Sequence, residues 1–274
     1  MASIPDFPKF GLEICYKINE NYPDILKEFW GENVVKNFYD WFLSAQEVAL
    51  KKGIDYISLM FNIEDESEIE GLSDVVEKIT TCAKINLIVK GSGNKGLDKI
   101  LLPELIKGAK CPVIFAPIQD DNYKEIISAI LNSDVKGHKV VLRTPIDINL
   151  TKELNILSID AGIKKEDIIV DPDTGCIGYG IDYGYSIIER MIEAKNNGDD
   201  MLDVPIIVFS GLESYKAKEA KSKNLGEIWG ESKTRSYAWE IATTTALICA
   251  GVDIAVLWHP EIVDELKRSF QGIC

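Results

Sequence analysis

Four glycines, Gly175, Gly178, Gly180 and Gly184, fall within Asp171 to Arg190, directly after the apolar run Ile168 to Val170. Glycine reaches φ > 0 and lets a ligand or a partner backbone approach closely, at an entropic cost that an ordinary connector avoids. The chemistry such a loop suits is binding. Thr174, Gly175, Gly178, Tyr179 and Gly180 offer backbone amides and small or aromatic side chains to a flat ligand. A second set, Gly91, Ser92, Gly93 and Asn94, follows the run Ile85 to Val89. With Gly96 it spells G-x-G-x-x-G, but it falls in the third strand-helix unit rather than the first. Cys111 and Pro112 also stand where a ribose-holding acid is expected. No G-x-x-x-x-G-K-[ST] string occurs.

Two pairs, Asp147 with Asn149 and Asp171 with Asp173, have the types needed for acid-base work, and equally for capping helices. Asn149 stands immediately before a helix expected over Leu150 to Ala161, which makes it a cap candidate. Of the two histidines, His138 precedes a strand. His259 follows the last strand, where it either meets a ligand or closes the strand as a hydrogen-bonded residue. There is no His and carboxylate cluster for a mononuclear metal, no G-x-S-x-G elbow and no Cys/His pairing motif. The six cysteines lie far apart without a C-x-x-C pair, as expected of buried thiols in a reducing compartment. The expected rim is therefore glycine-lined, neutral and rich in amides, suited to holding a large flat ligand or docking a partner.

These residues need a frame. Eight β-rich runs recur: Leu12 to Ile18, Ile54 to Phe61, Ile85 to Val89, Val113 to Ala116, Lys139 to Arg143, Ile168 to Val170, Ile206 to Phe209 and Asp253 to Trp258. Helical spacing fills the gaps, as in Val34 to Lys52 ahead of Gly53 and in Ala238 to Ile248 ahead of Gly251. Eight alternating units predict a single-domain (β/α)8 barrel over residues 1–274, with residues 1–11 as a lead-in. An open doubly wound sheet leaves two runs unexplained. Leu212 to Arg235 reads as an insertion after the seventh strand that includes a short helix. In a barrel the ligand face is the ring of strand C-terminal ends, which gathers the candidates above.

Bulk properties narrow the partners. The 274 residues are 46% hydrophobic, enough for a large core. A formal net charge of −14 repels phosphate backbones and argues against nucleic acid. The first ten residues lack a basic region followed by an apolar core, and every apolar run is too short to span a bilayer, so a cytoplasmic protein is expected. A phosphate-binding barrel would want basic residues after strands seven and eight, and none stands at either strand end.

Several strings together resemble a known family. They are Asp-Ile-Asn-Leu-x-Lys-x-Leu-Asn-Ile-Leu (147–157), Asp-Pro-x-Thr-Gly-Cys-Ile-Gly-Tyr-Gly-Ile-Asp-Tyr (171–183) with Ile188-Glu189-Arg190, Trp239-Glu240, Ala250-Gly251-Val252-Asp253-Ile254 and His259-Pro260. They look like the small (delta) subunit of the corrinoid iron-sulfur protein of the carbon monoxide dehydrogenase and acetyl-CoA synthase system. The resemblance runs from about residue 12 to residue 270. It is loose over Leu212 to Arg235, and the N-terminal lead-in is short. It implies a barrel that pairs as a heterodimer with a large corrinoid iron-sulfur subunit, which carries the iron-sulfur cluster, so this chain has none. The corrinoid (cobalamin) is then shared with that partner. A methyltransferase loads cobalt with methyl from a methyltetrahydrofolate-type donor, and acetyl-CoA synthase receives it, in an anaerobic setting. The implied role is that of a non-catalytic carrier subunit, with Gly91, Ser92, Gly93, Asn94, Asp147, Asn149, Thr174, Gly175, Gly178, Tyr179, Gly180 and His259 near the corrinoid. The alternative is a methyltransferase barrel that binds the pterin itself through Asp147, Asn149 and Asp171.

Overall fold

The computed structural model describes residues 7–18 and 22–270. Residues 1–6, including most of the expected lead-in, and Cys274 lie outside the described residues. Strands and helices alternate: β1 Lys9–Cys15, α1 Asp24–Trp30, α2 Phe38–Lys52, β2 Tyr56–Met60, α3 Leu72–Cys82, β3 Asn86–Lys90, α4 Lys95–Gly108, β4 Ile114–Ile118, α5 Tyr123–Leu131, β5 Lys139–Arg143 and α6 Ile148–Asp160. Then come β6 Ile168–Asp171, α7 Ile181–Asn196, β7 Ile207–Val208, α8 Ser210–Lys216, α9 Lys218–Lys221, α10 Ser232–Ala250, β8 Ile254–Leu257 and α11 Ile262–Phe270. All eight runs form parallel strands in the order β6-β5-β4-β3-β2-β1-β8-β7. The Val170↔Ile206 bridge, with Val170 N–H donating to the Pro205 carbonyl at 2.9 Å, joins β6 to β7 and closes the (β/α)8 ring.

Strand alternation sorts the side chains into two sets. On β3, Leu87 and Val89 pack outward in the large core beneath the helices, while Ile88 points into the lumen. The same alternation sends Val141, Ile169, Ile207, Ile254 and Val256 inward. Two residues further along, Lys90, Arg143, Asp171, Phe209 and Trp258 line the cavity at the carboxyl ends.

Several boundaries differ from expectation. β1 begins at Lys9 and ends at Cys15, because Lys9 N–H donates to the Asp253 carbonyl and Phe10 N–H to the Asp55 carboxylate, both at 2.9 Å. α2 starts at Phe38 rather than Val34, since Asn37 Oδ1 caps the amides of Tyr39 and Asp40. Gly53 (φ 63°) ends it as predicted. Asn149 is not the cap of α6. Asp147 is, accepting from Asn149 N–H at 2.8 Å and Leu150 N–H at 3.1 Å, so Asn149 sits inside the first turn. The stretch after β7 is largely helical, forming α8 and α9 before α10. Arg235 organises it with donations to the carbonyls of Glu219, Ser222, Trp229 and Gly230. Among the described cysteines, Cys15 and Cys176 are buried, Cys82 and Cys111 half-buried, and Cys249 exposed, so burial extends to fewer thiols than expected. Among the described residues, no helix is long and apolar enough to cross a membrane.

Candidate binding mouth

The carboxyl ends of the strands surround a cavity of about 470 Å3. One part of its wall, from β7, β8 and β1, is aromatic. Phe209 and Trp258 project from the strand ends, Tyr215 of α8 stacks on Trp258 at 5.5 Å, and Tyr22 lies 5.6 Å from the same indole. The facing part, from β3, β5 and β6, carries Lys90, Arg143 and Asp171.

Beneath lies a charge network that the sequence reading missed. Glu13 on β1, 1% exposed, accepts from Lys90 Nζ at 3.1 Å, from Ser58 Oγ at 2.9 Å and from Trp258 Nε1 at 2.9 Å. A buried carboxylate needs such satisfaction, and these four residues come from β1, β2 and β3 and from just beyond β8. Lys90 Nζ also stands 3.9 Å from the centre of the Phe209 ring, a cation-π contact. Asp171 accepts from Asp173 N–H at 2.8 Å, while Arg143 pairs with Asp173 at 2.6 Å. Burial, reinforced by the negative charge of Asp173, pushes the Asp171 carboxyl up to about 7. Glu240, fully buried behind Trp258 and accepting its N–H at 2.6 Å, is likewise pushed up by burial to about 7.

The expected neutral, amide-rich rim is therefore a charged and aromatic one. Lys17, Lys90, Arg143, Lys216 and Lys221 line it, against Asp171, Asp173 and Glu213. Lys216 and Lys221 belong to α8 and α9, so basic residues do follow strand seven at this rim, though not at the strand end itself. A signal was present in the chain: Lys90 and Arg143 each terminate an apolar run, in register to point inward with Ile88 and Val141. Residues just after the runs drew attention instead.

The predicted candidates divide. Ser92, Gly93 and Thr174 line the cavity. Gly91 packs on Asp98, whose carboxylate accepts from Ser92 N–H, Ser92 Oγ and Gly93 N–H. That loop's amides are thus engaged within the chain. Asn94 caps α4, accepting from Gly96 and Leu97. Gly175 lies against the Tyr179 carbonyl and Gly184 against Thr174, while Gly178 (φ 80°) and Gly180 (φ 84°) turn the chain into α7. These glycines let the loop fold on itself; the loop is then tied to its surroundings by Trp239 Nε1 donating to the Ile177 carbonyl and Tyr179 Oη donating to Glu219. Asp147 and Asn149 are exposed at the start of α6, so they do not converge with Asp171 on the cavity floor. His259 is buried between the Phe29 and Tyr237 rings, and burial holds it down to about 4. It packs behind the cavity. His138 lies at the opposite pole, accepting from Val113 N–H at 3.2 Å.

One part of the rim is strained. Ile146 (φ 47°) and Asp173 (φ 53°) both occupy the left-handed region, which a β-branched residue such as Ile146 rarely adopts. Their loops are zipped together, Thr144 N–H to the Asp171 carbonyl and Ile146 N–H to the Pro172 carbonyl. The result holds Ile146 41% exposed beyond the carboxyl end of β5.

The model of the CO dehydrogenase/acetyl-CoA synthase delta subunit family matches residues 10–259, from β1 to the end of the eighth strand. The chain belongs to that family. The acetyl-CoA decarbonylase/synthase complex subunit delta of Methanopyrus kandleri is 28% identical to it, over 97% of this chain and 66% of the relative. Subunit delta 1 from Methanosarcina thermophila is 30% identical, over 93% and 58%. The chain thus spans about three-fifths to two-thirds of the length of these relatives. Among solved structures, a dihydropteroate synthase of Yersinia pestis in a sulfonamide drug complex aligns with a TM-score of 0.63 at 13% identity, over 97% of this chain and 93% of that one. The enzyme of Coxiella burnetii in complex with pteroic acid aligns at 0.60 and 14%, over 98% and 94%. At these identities the likeness is one of barrel fold.

Proposed function

We propose that this chain is the barrel subunit that covers a corrinoid brought by a larger partner, within an assembly that moves a methyl group from a methyltetrahydrofolate-type donor, through a methyltransferase, to acetyl-CoA synthase. The observation that carries the reading is the strained rim at the ends of β5 and β6. Holding Ile146 left-handed costs about 1–2 kcal/mol, and the strain presents an apolar side chain to solvent. Such a feature is explained by a surface that it meets in the assembly. A cavity of about 470 Å3 does not admit a corrin macrocycle, so the corrinoid would lie over the rim. Ile146 and Tyr179 would meet it, with Ser92, Gly93 and Thr174 at the edge of the cavity beneath. Cobalt would supply the methyl-accepting nucleophile, and this chain's part is positioning and water exclusion. Belonging to a family whose relatives are named as subunits of a complex supports a partner of this kind.

Co-expression with the large corrinoid subunit, followed by purification and a visible absorption spectrum, tests the reading. Co-purification with a cobalamin spectrum is expected. In Ile146→Gly, which relieves the strain and removes the side chain, the chain should gain about 1 kcal/mol of stability while retaining less of the partner. A chain that never co-purifies with a corrinoid-loaded partner, or an Ile146→Gly variant that binds it as well as the parent, overturns the proposal.

A further inference from the structure

We propose that the mouth is a binding site, within this chain alone, for a small planar aromatic anion. The site lies below the rim assigned to the corrinoid and does not depend on that reading.

The shape of the lining makes the case. Trp258, Tyr215 and Phe209 form an aromatic wall in which Tyr215 stacks on Trp258 and Lys90 covers one face of Phe209, so an aromatic ring gains dispersion contact at the parts of these rings left toward the cavity. Lys90, Arg143 and Asp171 stand on the facing strands; Lys90 is held by Glu13, while Arg143 gives one N–H to Asp173 and keeps others for an acceptor-rich edge. A cavity of about 470 Å3 accommodates two fused rings with a substituent. Lys90 is more than nine-tenths buried, and its Nζ is shared between Glu13 and the Phe209 face. Lys221, at the same mouth, makes no ion pair among the described residues. Asp171 uses one carboxyl oxygen to accept from Asp173 N–H; among the described residues its other oxygen has no protein partner. Four of the five lining cations have carboxylate partners, Lys17 with Glu68, Lys90 with Glu13, Arg143 with Asp173 and Lys216 with Glu213, which leaves Lys221 as the lining cation without one among the described residues. Lys221 and the Arg143 N–H groups not engaged by Asp173 favour a ligand carrying negative charge over a neutral or cationic one. When protonated, Asp171 joins the donors. The charged groups around it are Asp173 on its own loop, Arg143 on β5 and Lys90 on β3, so the anion should bind more weakly once the pH passes that at which Asp171 ionises.

The test uses the purified chain and two probes of matched shape, 2-naphthoate and its neutral amide 2-naphthamide, titrated calorimetrically. Naphthoate should bind about tenfold more tightly than naphthamide, a difference of about 1.4 kcal/mol. Arg143→Gln and Lys221→Glu change partly exposed side chains and leave the Glu13 network intact; in the double variant the two probes should bind alike. Lys165→Glu, which alters a cation at the far pole paired with Asp200, should keep the preference. Equal affinity of the two probes for the parent chain, or a tenfold preference that survives in the double variant, overturns the proposal. A chain that fails to recruit a corrinoid partner but discriminates the probes separates this inference from the assembly reading.

Discussion

The lumen of the barrel holds two layers built from the same strands. Toward the amino ends Ile88, Ile114, Val141, Ile169, Ile207 and Ile254 fill it with branched aliphatic side chains. Two residues further along, about 7 Å, stand Lys90, Arg143, Asp171 and Trp258, with Glu13 beneath. The lower layer is a plug stabilised by packing alone. The upper layer depends on pairing, Glu13 with Lys90 and Asp173 with Arg143. The difference separates the part of the barrel that supplies stability from the part kept available for binding, at some cost in stability.

The comparison can be broken hardest at Lys90. Lys90→Met leaves Glu13 buried without its cation, and chemical denaturation should show a loss of about 3–5 kcal/mol. Adding Glu13→Gln, which still accepts from Trp258 and Ser58, should recover most of it. A Lys90→Met chain as stable as the parent would mean that the ion pair does not hold the upper layer.

Asp171 sharpens the contrast through pH. With its folded value near 7 and an ordinary value of 3.8, the native chain keeps a proton that the unfolded chain releases between those limits. Stability is then lost as pH rises from about 4 to about 7 and is flat above, and Glu240 contributes in the same direction. Asp171→Asn can still accept from Asp173 N–H. It should remove part of that slope and gain at most about 4 kcal/mol at pH 8, measured as denaturation midpoints across pH. The smallest effect belongs to the plug. Ile88→Ala should cost about 3 kcal/mol as a cavity, with the pH slope unchanged.

Much of this architecture was legible in the chain. The eight runs, the helix ending at Gly53, the position of His138 at the far pole and the carboxyl-end face follow from local periodicity and glycine geometry. The capping residue of α6 was misread by two positions, because Asp147 and Asn149 are both competent caps and only the backbone at Asp147 (φ −135°, ψ 110°) decides between them. The glycines after β6 were visible as a loop needing small residues. Their neighbours turned out to be Tyr179, Thr174 and Trp239 of the same chain.

The sequence by itself determined the count, order and period of the elements, and with them a closed ring of parallel strands, because those properties depend on neighbours three or four residues away. Tertiary structure alone decided the character of the mouth. Glu13 and Lys90 are 77 positions apart, and Trp258 donates to a carboxylate 245 positions before it. Which charges meet depends on the stagger of strands around the lumen, and a one-residue change of register would turn every one of them toward the helices.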